Sequence, residues 1–135
     1  MKAQAGQHNA LSFLAFDFGL QRVGVAAGNA VTATASPVGT LAVVGKARFE
    51  HIAALVKQWQ PDALVVGVPW HPDGAAHDMT IRARRFARQL HGRFGLPVHE
   101  VDERYTTVEA QSLGAADEDS AAATLILEQY LRGVS

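Results

Sequence analysis

The sequence predicts an α/β protein built on a five-stranded mixed sheet with helices on both faces. Three observations predict it. Three strand-like segments follow one another over residues 11–41; helical and strand-like segments then alternate; and one segment, Ala63-Leu64-Val65-Val66-Gly67-Val68, is apolar throughout. A run of strands favours an antiparallel meander, and alternation favours parallel pairing through crossover helices. A continuously apolar, β-branched run belongs in the middle of such a sheet, covered on both sides.

The elements follow in order. Residues 11–17 read as a buried strand that ends on Asp17, and Gly19 and Gly24 bracket the turn into a second strand that closes near Gly28-Asn29. Residues 32–41 alternate at Thr34, Val38 and Thr40, and Ser36-Pro37 within them predicts an edge position, because proline cannot donate to a ladder on both sides. Phe49, Ile52, Ala53, Val56 and Trp59 then recur at helical spacing, and Pro61 ends that helix. After the central strand and a loop rich in Pro, Gly and His, Asp78 is a plausible N-cap for a helix with the stripe Ala83, Phe86, Ala87 and Leu90. A fifth strand is expected over 96–101. Thr106-Thr107-Val108-Glu109 fits a capping box opening a short helix, and a last helix is expected over 119–131, with Ala122, Ala123, Ile126 and Tyr130 on one side. The order β-β-β-α-β-α-β-α-α is the ribonuclease H-like arrangement.

Bulk properties narrow the function. A chain of 135 residues, 48% hydrophobic, is large enough for one self-supporting core. Residues 11–135 read as a single domain, and residues 1–10 as a frayed, polar lead-in without the apolar region of a signal peptide. There is no cysteine, which excludes a disulfide framework and a thiolate zinc site. No apolar run approaches membrane-spanning length, so no membrane partner is expected and the cytoplasm is the default. The formal net charge of −1 means that any attraction to nucleic acid has to be local.

Local acidic chemistry is the strongest signal. Asp17 ends a buried strand, Asp102-Glu103 ends the fifth, and Asp119 begins the last helix. In an open α/β sheet, functional groups collect at the carboxyl ends of the strands. Asp119 also shares a helix side with Ala122, Ala123 and Ile126, so it should point toward the sheet. Clustered carboxylates repel and resist desolvation unless a cation joins them. Magnesium and manganese suit oxygen ligands, and two such ions ~3.5–4 Å apart support phosphodiester hydrolysis. Each acid also has a structural alternative. Asp17 could begin an Asx-turn, Asp119 could be a helix N-cap, and Asp102 and Glu103 could be solvated strand-end charges.

Taken together, Leu14-Ala15-Phe16-Asp17-Phe18-Gly19 with Arg22-Val23-Gly24-Val25-Ala26, Val65-Val66-Gly67-Val68-Pro69 with Asp73-Gly74, the segment 82–90, Asp102-Glu103-Arg104 with Thr107-Val108-Glu109-Ala110, and Asp119-Ser120-Ala121-Ala122 through Ile126-Leu127 and Tyr130-Leu131 resemble the YqgF/RuvX family. These are Holliday-junction-resolvase-like proteins, also described as pre-16S rRNA nucleases. The resemblance covers nearly the whole chain from Leu11. It implies a ribonuclease H-like fold, a metal-dependent hydrolase acting on phosphodiester bonds, and a catalytic and metal-binding trio of Asp17, Glu103 and Asp119 using Mg2+ or Mn2+. Asp102 is the weaker candidate, since neighbours on a strand point to opposite faces.

The chain departs from the family at Gln21, where lysine is usual, and in the short acidic segment Gly114-Ala115-Ala116-Asp117-Glu118, where basic residues are common. Both departures should weaken the grip on a polyanion. Candidate substrate contacts are Arg22 and Arg104 beside the acidic motifs, and Arg82 and Arg85 on the second helix. That helix region, with Arg84, Arg88 and Arg93, holds five of the twelve basic residues. The alternative for that stripe is an ordinary solvated helix surface. His71 and His77 read as surface loop residues, Trp70 as packing on the adjacent helix, and Gly24, Gly67 and Gly74 as backbone requirements. Expected partners are nucleic acid, either pre-16S rRNA or structured DNA, bound by a monomer or homodimer. Two rivals remain. One is a non-catalytic RNA-binding assembly module. The other is a sugar-kinase/actin-type ATPase, which would need a second such domain.

Overall fold

The computed structural model describes residues 11–103 and 117–134. The lead-in 1–10, Arg104 and the predicted capping box at Thr106-Thr107-Val108-Glu109 lie outside the described residues. The elements are β1 (Ser12–Phe18), β2 (Val23–Asn29), β3 (Thr34–Leu41), α1 (Gly45–Trp59), β4 (Ala63–Val68), α2 (Asp78–Phe94), β5 (Val98–Asp102) and α3 (Glu118–Val134). They form one mixed sheet in the order β3-β2-β1-β4-β5. The first three strands are the antiparallel meander, and β1, β4 and β5 run parallel. β3 is an edge strand, and the register shifts between Val25 and Ala26, where β2 meets Pro37. A proline on an edge beside a bulge removes no ladder bond the sheet requires.

Strand alternation divides the core. Leu14, Phe16, Val23, Val25, Leu64 and Val66 face one side and pack with Ile52 of α1 and with Ala83, Phe86, Ala87 and Leu90 of α2. Phe13, Ala15, Ala63, Val65 and Val101 face the other side and pack on Ile126, Leu127 and Leu131 of α3. β4 is buried at every position, as expected of a central strand covered on both faces. The starts of β1 and β4 are tied by Asp62, whose Oδ2 accepts from the backbone N–H groups of Leu11 and Ser12, each at 3.0 Å, and from the Ser12 hydroxyl at 3.2 Å.

Several local expectations are corrected. His77, not Asp78, caps α2: its Nδ1 accepts from the Met79 N–H at 3.2 Å, while the Thr80 hydroxyl accepts from the His77 N–H at 3.1 Å. The imidazole thus completes a capping box, and Asp78 falls in the first turn, a favourable place for a carboxylate near a helix N-terminus. On α1, Trp59 is 44% exposed and Ala53 is exposed, whereas Arg48 is buried. Arg48 is accommodated because its guanidinium donates to the carbonyls of Val43 (3.0 Å) and Leu20 (3.1 Å) and lies 5.5 Å from the centre of the Phe18 ring. It ties the β1–β2 turn to the start of α1.

Candidate active site

Asp17 lies near the carboxyl end of β1, on the face covered by α3. Its cross-strand neighbours are Gly24 on β2 and Gly67 on β4. Two glycines beside one carboxylate leave a trough in the sheet surface, and the trough is filled from both sides. A side chain at position 24 would collide with the backbone of Asp119, so Gly24 is what lets the first turn of α3 settle on the sheet. A side chain at position 67 would lie 2.9 Å from both Cγ and Oε1 of Glu103 and would strike Ile126, so Gly67 is what lets Glu103 reach across β4. Neither glycine has a left-handed backbone, unlike Gly74, whose φ is 92°. The sequence reading of Gly24 and Gly67 as backbone requirements is therefore corrected: the requirement is space.

Asp17 and Glu103 meet in this trough as hydrogen-bonded carboxyl groups. Burial raises the Asp17 pKa; the hydrogen bond from Glu103 acts in the opposite direction, and the charge of Asp119 adds to the rise. Glu103 is pushed up to about 9, by burial first, then by the hydrogen bond and charge of Asp17, and then by Asp102. Two acids held this close cannot both ionise without a counter-charge, so the pair retains a proton that Glu103 donates to Asp17. By alternation from Val101, Asp102 falls on the opposite face, the side of α2.

Asp119 sits in the first turn of α3, but it is not the cap. That role belongs to Asp117, whose Oδ1 accepts from the Ser120 N–H (2.7 Å) and from the Thr40 hydroxyl (2.6 Å). Burial alone would raise the Asp117 pKa, yet these bonds, aided by Arg22, hold it below its ordinary value. Asp117 is thus a structural acid and not a loose surface charge facing a polyanion. The Asp119 carboxylate pairs with Arg22, Oδ2 to Nε, at 3.0 Å. Among the described residues, no set of three acidic or imidazole groups stands close enough to hold a metal ion as arranged. Of the predicted trio, Asp17 and Glu103 are in contact, and Asp119 is near enough for Asp17 to feel its charge but is engaged with Arg22.

A sequence profile of the RuvX family, described as Holliday junction resolvase, matches residues 11–133. The chain belongs to the RuvX family. A relative from Albidiferax ferrireducens named "Putative pre-16S rRNA nuclease" is 65% identical over 126 residues, covering 93% of this chain and 81% of that protein. One of the same name from a Polaromonas species is 61% identical, covering 91% and 89%. Among solved structures, T. thermophilus RuvC in complex with a Holliday junction substrate superposes with a TM-score of 0.58 at 14% identity, covering 92% of this chain and 95% of that one. At that identity the likeness concerns the fold, and the fold is ribonuclease H-like.

The remaining candidates of this RuvX-family chain are dispersed. Arg82 pairs with Asp78 at 2.7 Å, and Arg85 is exposed; both belong to α2, across the sheet from Asp17. Arg84 pairs with Glu100 at 3.2 Å, and its guanidinium lies 6.0 Å from the ring of Trp70, which packs on the core as expected. Arg93 stacks on Phe49 at 4.1 Å. His71 is a surface loop residue whose ring lies 4.6 Å from that of His77. Sequence reasoning missed Asp117 and Arg48. A short polar side chain three residues before a helical N–H is a legible capping signal; a buried arginine on an exposed-looking helix carries none.

Proposed function

We propose that this chain is a metal-dependent nuclease that hydrolyses phosphodiester bonds in RNA, acting on the 5′ end of pre-16S rRNA. The observation that carries the reading is the Asp17–Glu103 pair, half-buried at the carboxyl ends of parallel strands, where Gly24 and Gly67 leave room for the first turn of α3 and for Glu103. Burying two adjoining acids costs stability unless a cation joins them. The names and close identity of the relatives supply the substrate class.

The donor set fits a hard divalent ion. It is all oxygen, two of its members already touch, and the proton they share occupies the place of a positive charge. Asp17, Glu103 and Asp119 would hold Mg2+ or Mn2+, and one or two such ions would supply an activated water and stabilise the leaving oxygen. The chain's own groups do the rest. The first turn of α3 seats on Gly24 of β2, and the Ile126 side chain lies against Gly67 of β4 beside Glu103. Arg22, 64% exposed, offers a guanidinium to the phosphate backbone, with Arg104 as its expected companion. Arg82 and Arg85 would track more distant phosphates. The protein would act in the cytoplasm, as a monomer or homodimer, with residues 11–135 as its single domain.

The test compares wild type with Asp17→Asn on labelled single-stranded RNA, the pre-rRNA 5′ leader and four-way DNA junctions, with Mg2+ or Mn2+. Cleavage of the leader should fall at least about 100-fold in the variant. Equal cleavage by both proteins would sink the mechanism. Cleavage confined to the junction would support the second reading, favoured by the family's description, of a DNA resolvase. Binding without cleavage under every condition would leave the RNA-binding assembly module.

A further inference from the structure

We infer that Arg22 is a placeholder cation for Asp119, holding its carboxylate in the metal-free protein and releasing it when a divalent ion enters beside Asp17 and Glu103, whereupon the freed guanidinium takes the substrate phosphate. The inference rests on the metal-site reading above and adds a positioning role for Arg22.

The geometry carries it. Asp119 is brought to the trough by the seating of α3 on Gly24, and Asp117 has taken over the capping of the helix, so the Asp119 carboxylate is not committed to the backbone. Among the described residues, its side chain is bonded to Arg22 alone. That bond is easy to exchange. The Arg22 side chain is 64% exposed and the Asp119 side chain 30% exposed, so water screens the pair, and a divalent ion held also by Asp17 and Glu103 would displace one solvated guanidinium. Arg22 does not then drift from the site. It immediately precedes β2, whose Gly24 and Val23 pair with Asp17 and Phe18, and the Asp117 carboxylate, itself fixed by Thr40 and Ser120, also feels its charge. The acidic residue before α3, which by sequence should repel a polyanion, instead retains the cation that would grip one.

The exchange predicts opposite effects of one substitution on two ligands. Mn2+ affinity, measured by calorimetry and by the loss of the free-ion paramagnetic resonance signal, should tighten about two- to fivefold in Arg22→Gln. KM for the cleaved RNA should rise in the same variant. The gain in Mn2+ affinity should vanish in an Asp119→Asn background, because it acts through that carboxylate and not through the general field. An unchanged or weakened Mn2+ affinity in Arg22→Gln overturns the inference, as does a gain of equal size with Asp119→Asn. Arg22→Lys should give an intermediate affinity, and thermal melts check that each variant folds. An Asp17→Asn protein that binds Mn2+ as wild type does would remove the metal site itself. Loss of binding there, with no gain in Arg22→Gln, would remove the exchange alone.

Discussion

At Glu103, burial, the hydrogen bond to Asp17 and the charges of Asp17 and Asp102 all act in one direction, and the carboxyl is pushed up to about 9. An unfolded glutamate releases its proton near pH ~4.3. Between that value and about 9, the folded chain therefore holds a proton that the unfolded chain has lost. The stabilising linkage from this group is complete at acid pH and is lost as pH rises through that window. Asp17, also raised, adds to the trend; Asp117, lowered, contributes stability that disappears only when pH falls below the ordinary aspartate range of ~3.9. The metal-free protein, kept in chelator, should thus melt at progressively lower temperature from about pH 5 to about pH 9. Glu103→Gln should flatten that slope and raise the melting temperature at the alkaline end. A slope unchanged by the substitution would place the lost protons elsewhere.

At the scale of elements, the site depends on how closely α3 can approach the sheet. A strand offers side chains on each face at every second position, and a helix normally rests on those side chains. Here Gly24 and Gly28 on β2 and Gly67 on β4 remove them, so the helix meets backbone at Asp119 and seats Leu127 and Ile126 where side chains would stand. Gly24→Ala should destabilise the fold by at least about 2 kcal/mol, because the clash is with helix backbone, which cannot rotate away. The same substitution at Gly92, an exposed position of α2 with open space around it, should stabilise by about 0.5–1 kcal/mol. Chemical denaturation of the two variants checks both signs. A mild effect at Gly24 would mean that α3 docks less tightly than its contacts imply.

Across the whole molecule, the Asp17–Glu103 pair and the arginines of α2 lie on different sides of the sheet. The proposed site faces α3, while Arg82 and Arg85 stand on α2 on the opposite face, so a nucleic-acid strand touching both would have to cross from one face of the sheet to the other. If α2 tracks phosphates, the double variant Arg82→Gln/Arg85→Gln should weaken RNA binding and reduce its dependence on log salt by about 1 per arginine removed, with Mn2+ affinity unchanged. An unaltered salt slope would make the stripe an ordinary solvated surface, with Arg82 serving only its pair with Asp78. The strand count, the meander, the buried run of β4 and the edge position of β3 were all legible in the sequence. Each follows from local periodicity or from what proline and β-branched side chains permit. The acidic positions were equally legible, because a carboxylate next to an apolar run is conspicuous. Which acid caps α3, why Gly24 and Gly67 stand where they do, and where Arg22 and Arg48 point were not. Those are decided by distances between residues remote in the chain, from Asp17 to Glu103 and from Arg22 to Asp119. By itself, then, the sequence determined the layers of this protein and the inventory of its charged groups. Only the tertiary structure decided that two acids share a proton while the third pairs with arginine, since Coulomb energy and desolvation depend on separation in space and not on order along the chain.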